Sequence, residues 1–374
     1  MPRFFIYIAI FLMLLVTSCD KFRQVKLVTN QKSEAEIKSE ISKLWEQYLV
    51  KNYNDTEAQN IFIVTNRNQN NGNFSCKENA FGAKINNDLQ FGICEVNVPK
   101  NHDSSEIKYT KDGRQSSYNY YKTLDERSFN EADLINKIKD SNRTPLIFVH
   151  GFNVKYSEAI LRAAQIAYDL KYQGLVILFT WPAGSGGDLF ETLNQTYDNN
   201  LISAKESVAN FRDFIARLQS NNIVPNIAVH SMGHQIVLPA LAQLGAKNPQ
   251  VQYVNELVLS APDFNAQSFK DLSANIKTTA KRITIYCSYN DKAMTASKLV
   301  NSGDRLGACN ANRDFDVINV SLLNTANSGL GHSYYSSKEV LSDVVQLLIG
   351  ISADKRFFVS KSDPNSTEKY FLRN

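Results

Sequence analysis

None of the five cysteines in this chain of 374 residues forms a C-x-x-C pair, which argues against a zinc ribbon or a thioredoxin-like redox centre. No cluster of Lys and Arg is interleaved with aromatic residues, and the net charge is only +4, so a nucleic-acid surface is not expected. Histidine is scarce too, at five residues. His230 and His234 are one helical turn apart, but the Glu of an H-E-x-x-H metal site is missing between them, and no metal is expected. The stretch Gly184-Ser185-Gly186-Gly187 lacks the Lys-Ser/Thr that follows a phosphate loop, and reads as a pocket rim or lid. No segment repeats and no linker divides the centre. The chain is 43% hydrophobic, long enough and apolar enough to bury a large core.

The N-terminus carries a different signal. One Arg precedes an apolar run from Phe4 to Val16, too short to span a bilayer comfortably, and small residues follow. That is the layout of a secretory signal peptide. The ending Val16-Thr17-Ser18-Cys19 resembles the lipobox of bacterial lipoproteins, which implies a signal peptide over 1–18, lipidation of Cys19 and attachment to a membrane of the bacterial cell envelope. Residues 19–58 read as a polar spacer with one helix, entered by a capping box at Ser33 and Glu36. Export makes pairing of the remaining cysteines the expectation, with Cys76–Cys94 and Cys287–Cys309 the sequence-local choice. Other connectivities and four separate thiols stay open.

The body alternates. Apolar runs of strand length occur at 61–64, 91–99, 146–149, 175–180, 227–229, 256–260, 283–287 and 317–320. Helical periodicity separates several of them: Ser157 to Leu170, Ser203 to Leu218, and Gln235 to Leu244 with Pro239 inside it. Strands buried on both faces and separated by helices predict an α/β fold, a mostly parallel doubly wound sheet with flanking helices, over 59–352. Residues 100–125 read as irregular and 353–374 as a polar tail with Phe357, Phe358, Tyr370 and Phe371, either wrapping the domain or disordered.

Ligands of such sheets gather at the carboxyl ends of the strands. There the chain places His150-Gly151-Phe152-Asn153, then His230-Ser231-Met232-Gly233, then Ser288-Tyr289-Asn290-Asp291, and beyond the last strand Gly331-His332. With this order of Ser, Asp and His, the chain resembles the α/β-hydrolase superfamily, and more narrowly a little-characterised bacterial esterase/lipase-like branch of it. The resemblance runs from about 60 to 350. It rests on FVHGFN at 148–153, LFTWPAG at 178–184, HSMG at 230–233, LSAPDF at 259–264, SYNDKAM at 288–294, RLG at 305–307 and GHSYY at 331–335.

The resemblance implies an α/β-hydrolase fold and a serine hydrolase acting on carboxylic esters, without metal or organic cofactor. Ser231 would be the nucleophile, His332 the general base and Asp291 the acid that orients it. The backbone N–H groups of Met232 and Phe152 would form the oxyanion hole. Asp263, which ends the preceding strand, is the competing acid. His150 reads as structural support for the oxyanion loop. Phe152, Trp181, Phe190 and Tyr197 are candidates for an acyl pocket or for ordinary core. Two departures stand out: Val229 occupies the first position of the usual G-x-S-x-G, and Pro239 interrupts the helix behind the serine. Val229 and the long N-terminal region motivate an alternative, a catalytically weak or inactive hydrolase-fold lipoprotein that binds an envelope partner. A small-molecule or lipid ester is the expected substrate. Thioesterase, amidase and acyltransferase chemistry remain open.

Overall fold

A computed structural model describes Ser39 and residues 58–373, apart from 71, 101, 104–106, 111–115, 185–192, 312 and 324–329. The signal peptide, Cys19, the spacer helix apart from Ser39, Ser185 to Gly187 and Phe190 lie outside the described residues. Among the described residues, no helix is long and apolar enough to cross a membrane.

The elements in chain order are β1 (Ala58–Gln69), β2 (Phe81–Asn97), β3 (Lys122–Phe129), α1 (Glu131–Ser141), β4 (Leu146–Val149), α2 (Tyr156–Asp169), β5 (Val176–Thr180), α3 (Leu193–Glu206), α4 (Val208–Ser220) and β6 (Asn226–His230). A short 3-10 turn, Ser231–Gly233, leads into α5 (His234–Lys247), and β7 (Val254–Ser260), α6 (Ala266–Thr279), β8 (Ala280–Cys287), α7 (Lys292–Val300), β9 (Asp316–Asn319), α8 (Lys338–Leu348), β10 (Val359–Lys361) and β11 (Tyr370–Leu372) follow. Among the described residues, all eleven strands form one sheet in the order β10-β11-β9-β8-β7-β6-β4-β5-β1-β2-β3. Pairing is parallel from β11 through to β1 and antiparallel at both edges.

The alternation of side chains along each strand splits the core in two. Ile147 and Val149 face α1, α3, α4, α5 and α6, packing with residues such as Leu134, Phe211, Phe214 and Leu238. Leu146 and Phe148 face α2 and α8, packing with Ala159, Ile160, Ala163 and Leu341. β4 and β5 are buried at every position, which is why they read as unbroken apolar runs.

Three segments differ from the sequence reading. The single helix over Ser203–Leu218 is two, α3 and α4, meeting at Ser207; its hydroxyl donates back to the Ser203 carbonyl at 2.7 Å and accepts from Asn66 at 2.9 Å. The irregular stretch 100–125 ends in an edge strand, β3, whose polar sequence KTLDERSF suits a margin exposed to water. The C-terminal segment is not a tail outside the domain, because β10 and β11 extend the sheet. Tyr370, Phe371 and Leu372 are buried, and the buried Arg356 is paired with Asp343 at 2.7 Å. Both sequence-local disulfides, Cys76–Cys94 and Cys287–Cys309, are formed.

Candidate active site

The order of strands locates the site. From β4 the chain moves to β5 on one side and then crosses to β6 on the other, so the carboxyl ends of β4 and β6 flank the switch point of the sheet. β6 ends at His230, and Ser231 follows with φ +51°, in the left-handed region that a non-glycine residue enters at a cost of about 1–3 kcal/mol. Helix α5 begins at once. This turn lifts Ser231 out of the strand and onto the amino end of a helix.

Close packing holds the turn against the β4 loop. A Cβ on Gly151 would stand 2.7 Å from the Ser231 Cβ, and one on Gly233 would stand 2.7 Å from the His150 carbonyl oxygen. The positions that must be glycine are therefore 151 and 233. Val229 needs no special room: it is buried in the apolar cluster and pairs with Val149 and Leu259. Helix α5 runs on through Pro239 to Lys247.

The three residues proposed from sequence for the triad are brought together. The Ser231 hydroxyl lies 2.8 Å from His332 Nε2, and His332 Nδ1 lies 2.7 Å from Asp291 Oδ2. A carboxylate oxygen only accepts, so Nδ1 carries the hydrogen and Nε2 is free to accept from Ser231. Asp291 is also the N-cap of α7: its Oδ1 accepts from the backbone N–H groups of Ala293 at 3.0 Å and Met294 at 3.1 Å. One oxygen is thus fixed by the helix, and the other is aimed at the imidazole. Asp291 is buried, while the His332 side chain keeps 17% of its surface exposed.

Asp263 does not reach His332. Its carboxylate accepts from Tyr197 at 2.8 Å and Ser297 at 2.6 Å, and it faces the buried Arg305 at 3.5 Å. Its main chain does serve the elbow, since its N–H donates to the Ser231 carbonyl at 3.3 Å. Tyr197, an acyl-pocket candidate by sequence, is therefore largely committed to Asp263. Phe152 packs on Tyr197 with ring centroids 5.7 Å apart.

Met232 follows Ser231 in the first turn before α5, where backbone N–H groups have no acceptor within the helix. Phe152 follows Gly151, the residue pressed against Ser231. The loop that carries Phe152 is braced from behind. The Trp181 indole donates to the His150 carbonyl at 2.9 Å, and the two rings stack at 5.5 Å. Arg67 Nε donates to the Thr180 hydroxyl at 3.0 Å, and that hydroxyl donates to His150 Nε2 at 2.9 Å. His150 Nδ1–H then donates to the Gly151 carbonyl at 3.1 Å. Burial first, and then the charge of Arg67, pull the His150 pKa down to about 3, so the ring is neutral, and these two hydrogen bonds set its tautomer. Arg67 is buried as well; burial lowers its pKa to about 9, which leaves it charged at neutral pH. Arg67 and Thr180 were not legible as site residues. The one signal was a charged residue at the end of an apolar strand, IFIVTNR.

Among the described residues, no group of three or more His, Cys, Asp or Glu is placed to hold a metal ion. The arrangement can activate a serine hydroxyl, transfer its proton to an imidazole and meet a developing oxyanion with backbone donors.

A family model described as alpha/beta hydrolase of unknown function (DUF900) matches residues 126–351, more than half of the chain. No curated protein matches the chain, and no solved structure does.

Proposed function

This chain belongs to the DUF900 family of alpha/beta hydrolases, and on that premise we propose that it is a membrane-anchored serine hydrolase of carboxylic esters. The observation that carries the reading is the hydrogen-bonded line from Asp291 through His332 to a serine held at φ +51°.

In this reading, the Ser231 oxygen attacks the ester carbonyl while His332 Nε2 takes the hydroxyl proton. Asp291 keeps the imidazole in the required tautomer and stabilises the imidazolium that forms. The tetrahedral oxyanion is met by the N–H groups of Met232 and Phe152, each worth roughly 10²–10³ in turnover in comparable sites. Collapse expels the alcohol, protonated by His332, and leaves an acyl-Ser231. Water, deprotonated by His332, then releases the acid.

The lipobox-like ending at Cys19 supports the anchor. The two disulfides support passage through an oxidising compartment. An acylated Cys19 as the first residue, found by mass spectrometry of the mature protein, is the expected result; a soluble chain that begins elsewhere would remove the anchor from the proposal.

The catalytic part is tested by labelling the full-length chain, purified in detergent, with a fluorophosphonate. Labelling is expected in the wild type and absent in Ser231→Ala and His332→Ala. A panel of p-nitrophenyl esters of rising chain length then reads the acyl preference. A folded wild type that takes no label overturns the hydrolase reading in favour of the non-catalytic, partner-binding lipoprotein.

A further inference from the structure

The serine sits between two histidines, His230 and His234, and neither belongs to the triad. Their rings point in different directions. His234 lies in the first turn of α5 and turns back, with Nδ1 2.6 Å from the Ser231 carbonyl oxygen. His230 ends β6 and reaches sideways, with Nε2 3.3 Å from the His332 carbonyl oxygen. A carbonyl only accepts, so each ring nitrogen carries a hydrogen there: Nδ1–H on His234 and Nε2–H on His230.

We propose that His230 and His234 are positioning residues, each pinning the main chain of one partner in the proton transfer, His332 and Ser231 respectively. The inference rests on the serine-hydrolase reading of the site.

Three observations support it. First, the Ser231 peptide needs holding. At φ +51° it is strained, and its carbonyl is where donors converge: the His234 ring, the Asp263 N–H at 3.3 Å and the His234 main-chain N–H. Second, the His230 ring is a wedge between three segments. It stacks on Tyr335 with centroids 3.7 Å apart and lies 4.8 Å from the His332 ring. Its Nδ1 would stand 3.0 Å from a Cβ on Gly151. One ring therefore sets the spacing between the β4 loop, the elbow and the segment carrying His332. Third, both rings are neutral. Burial holds their pKa values far below the usual 6.5, at about 3 for His234, and the nearby His332 pushes His230 the same way. A neutral N–H donor holds a carbonyl without opposing the imidazolium that forms on His332.

The role separates from ordinary packing by rescue. His230→Phe keeps the stack on Tyr335 and loses the donor, whereas His230→Gln restores an N–H at the Nε2 position. His234→Leu loses its donor, and His234→Asn restores one at the Nδ1 position. All four are made in the full-length chain, with melting temperature as the check on folding. Fluorophosphonate labelling rate and turnover of p-nitrophenyl acetate are the readouts. The Phe and Leu variants are expected to lose roughly ten- to a hundredfold in labelling rate and in kcat at little-changed KM, the scale of a misplacement of about 1 Å. The Gln and Asn variants are expected to recover most of it. Folded Phe and Leu variants that label at the wild-type rate overturn the proposal and leave the hydrolase reading standing. So does a failure of Gln and Asn to rescue while melting stays at the wild-type value. A wild type that takes no label overturns both.

Discussion

Replacing Asp291 by Asn separates the two candidate acids and tests the triad at its least exposed member. The substitution keeps size and shape. Asn caps a helix as well as Asp does, so its side-chain oxygen stays on the N–H groups of Ala293 and Met294, now 3.0 and 3.1 Å from Asp291 Oδ1. The amide nitrogen then points at His332 Nδ1, 2.7 Å from the present Oδ2. Two N–H groups cannot face each other, so His332 must move its hydrogen to Nε2. In that tautomer it cannot accept the Ser231 proton. The loss on imposing the wrong tautomer on a serine triad is on the order of 10⁴ in kcat, or about 5 kcal/mol of barrier. Stability should barely change, since only the charge at the helix terminus is lost, worth about 0.3–1 kcal/mol. Asp263→Asn should behave in the opposite way. It leaves Arg305 buried without its counter-charge, at a cost of about 3–5 kcal/mol in unfolding free energy, while turnover per folded molecule stays within about tenfold of wild type. Urea unfolding and p-nitrophenyl acetate turnover on the same preparations read both quantities. Asp291→Asn with turnover near wild type, or a 10⁴-fold loss in a fully stable Asp263→Asn, refutes the assignment.

Two further outcomes follow from the geometry. Ser231→Gly and Ser231→Ala both abolish labelling, but the Gly variant should be the more stable by about 1 kcal/mol, because at φ +51° glycine is relieved of strain that alanine keeps; equal melting of the two would contradict the strained elbow. His102 faces two acceptors, the Pro99 carbonyl at 2.6 Å and Asp169 at 3.0 Å, which only a doubly protonated ring satisfies. Burial works against its charge, yet the bond to Asp169 and the attraction of that carboxylate outweigh it and raise the pKa above 6.5. Stability from His102 is therefore fully present below pH 6.5 and lost as pH rises through the raised value. The melting-temperature gap between wild type and His102→Gln should be widest in acid and close toward alkaline pH, and a gap independent of pH would rule out the charged pair.

Ser231, the oxyanion loop and the candidate acids could be named from sequence because each stands at the end of a run that only a buried strand explains, whereas His332, beyond β9, rests on the resemblance. The rule about carboxyl ends then selects Ser231, the oxyanion loop and two candidate acids, Asp291 and Asp263, without any knowledge of distances. The choice between Asp291 and Asp263 is not available in that way, since both follow strands in the same layer. It is decided by Tyr197, Ser297 and Arg305, which lie 66, 34 and 42 residues away in the chain and occupy the Asp263 carboxylate. Other features carried a signal that went unread. Asn130 with Asp133 forms a capping box ahead of Leu134 and Ile138, the mark of α1. β3 and the C-terminal strands are harder. β3 exposes half of its side chains, β11 is only three residues long within a polar segment, and Arg356 looks like surface until Asp343 is found beside it.

The scarcity of histidine acquires a meaning in the fold. Four of the five, His150, His230, His234 and His332, stand at the carboxyl ends of β4 and β6 or against them, and burial drives the first three to neutrality. Each of those three donates from one ring nitrogen to a main-chain carbonyl: Gly151, His332 and Ser231. An amide side chain can also donate there, but its oxygen and nitrogen can exchange places by a flip. An imidazole wedged between aromatic rings, as His150 is against Trp181 and His230 against Tyr335, has one plane and one buried tautomer. Of these four, only His332 is partly open to solvent and bonded both to a carboxylate and to the serine hydroxyl. The site thus uses one residue type in two ways. On the proposed reading, burial separates the three rings that hold the backbone still from the one ring that would move a proton.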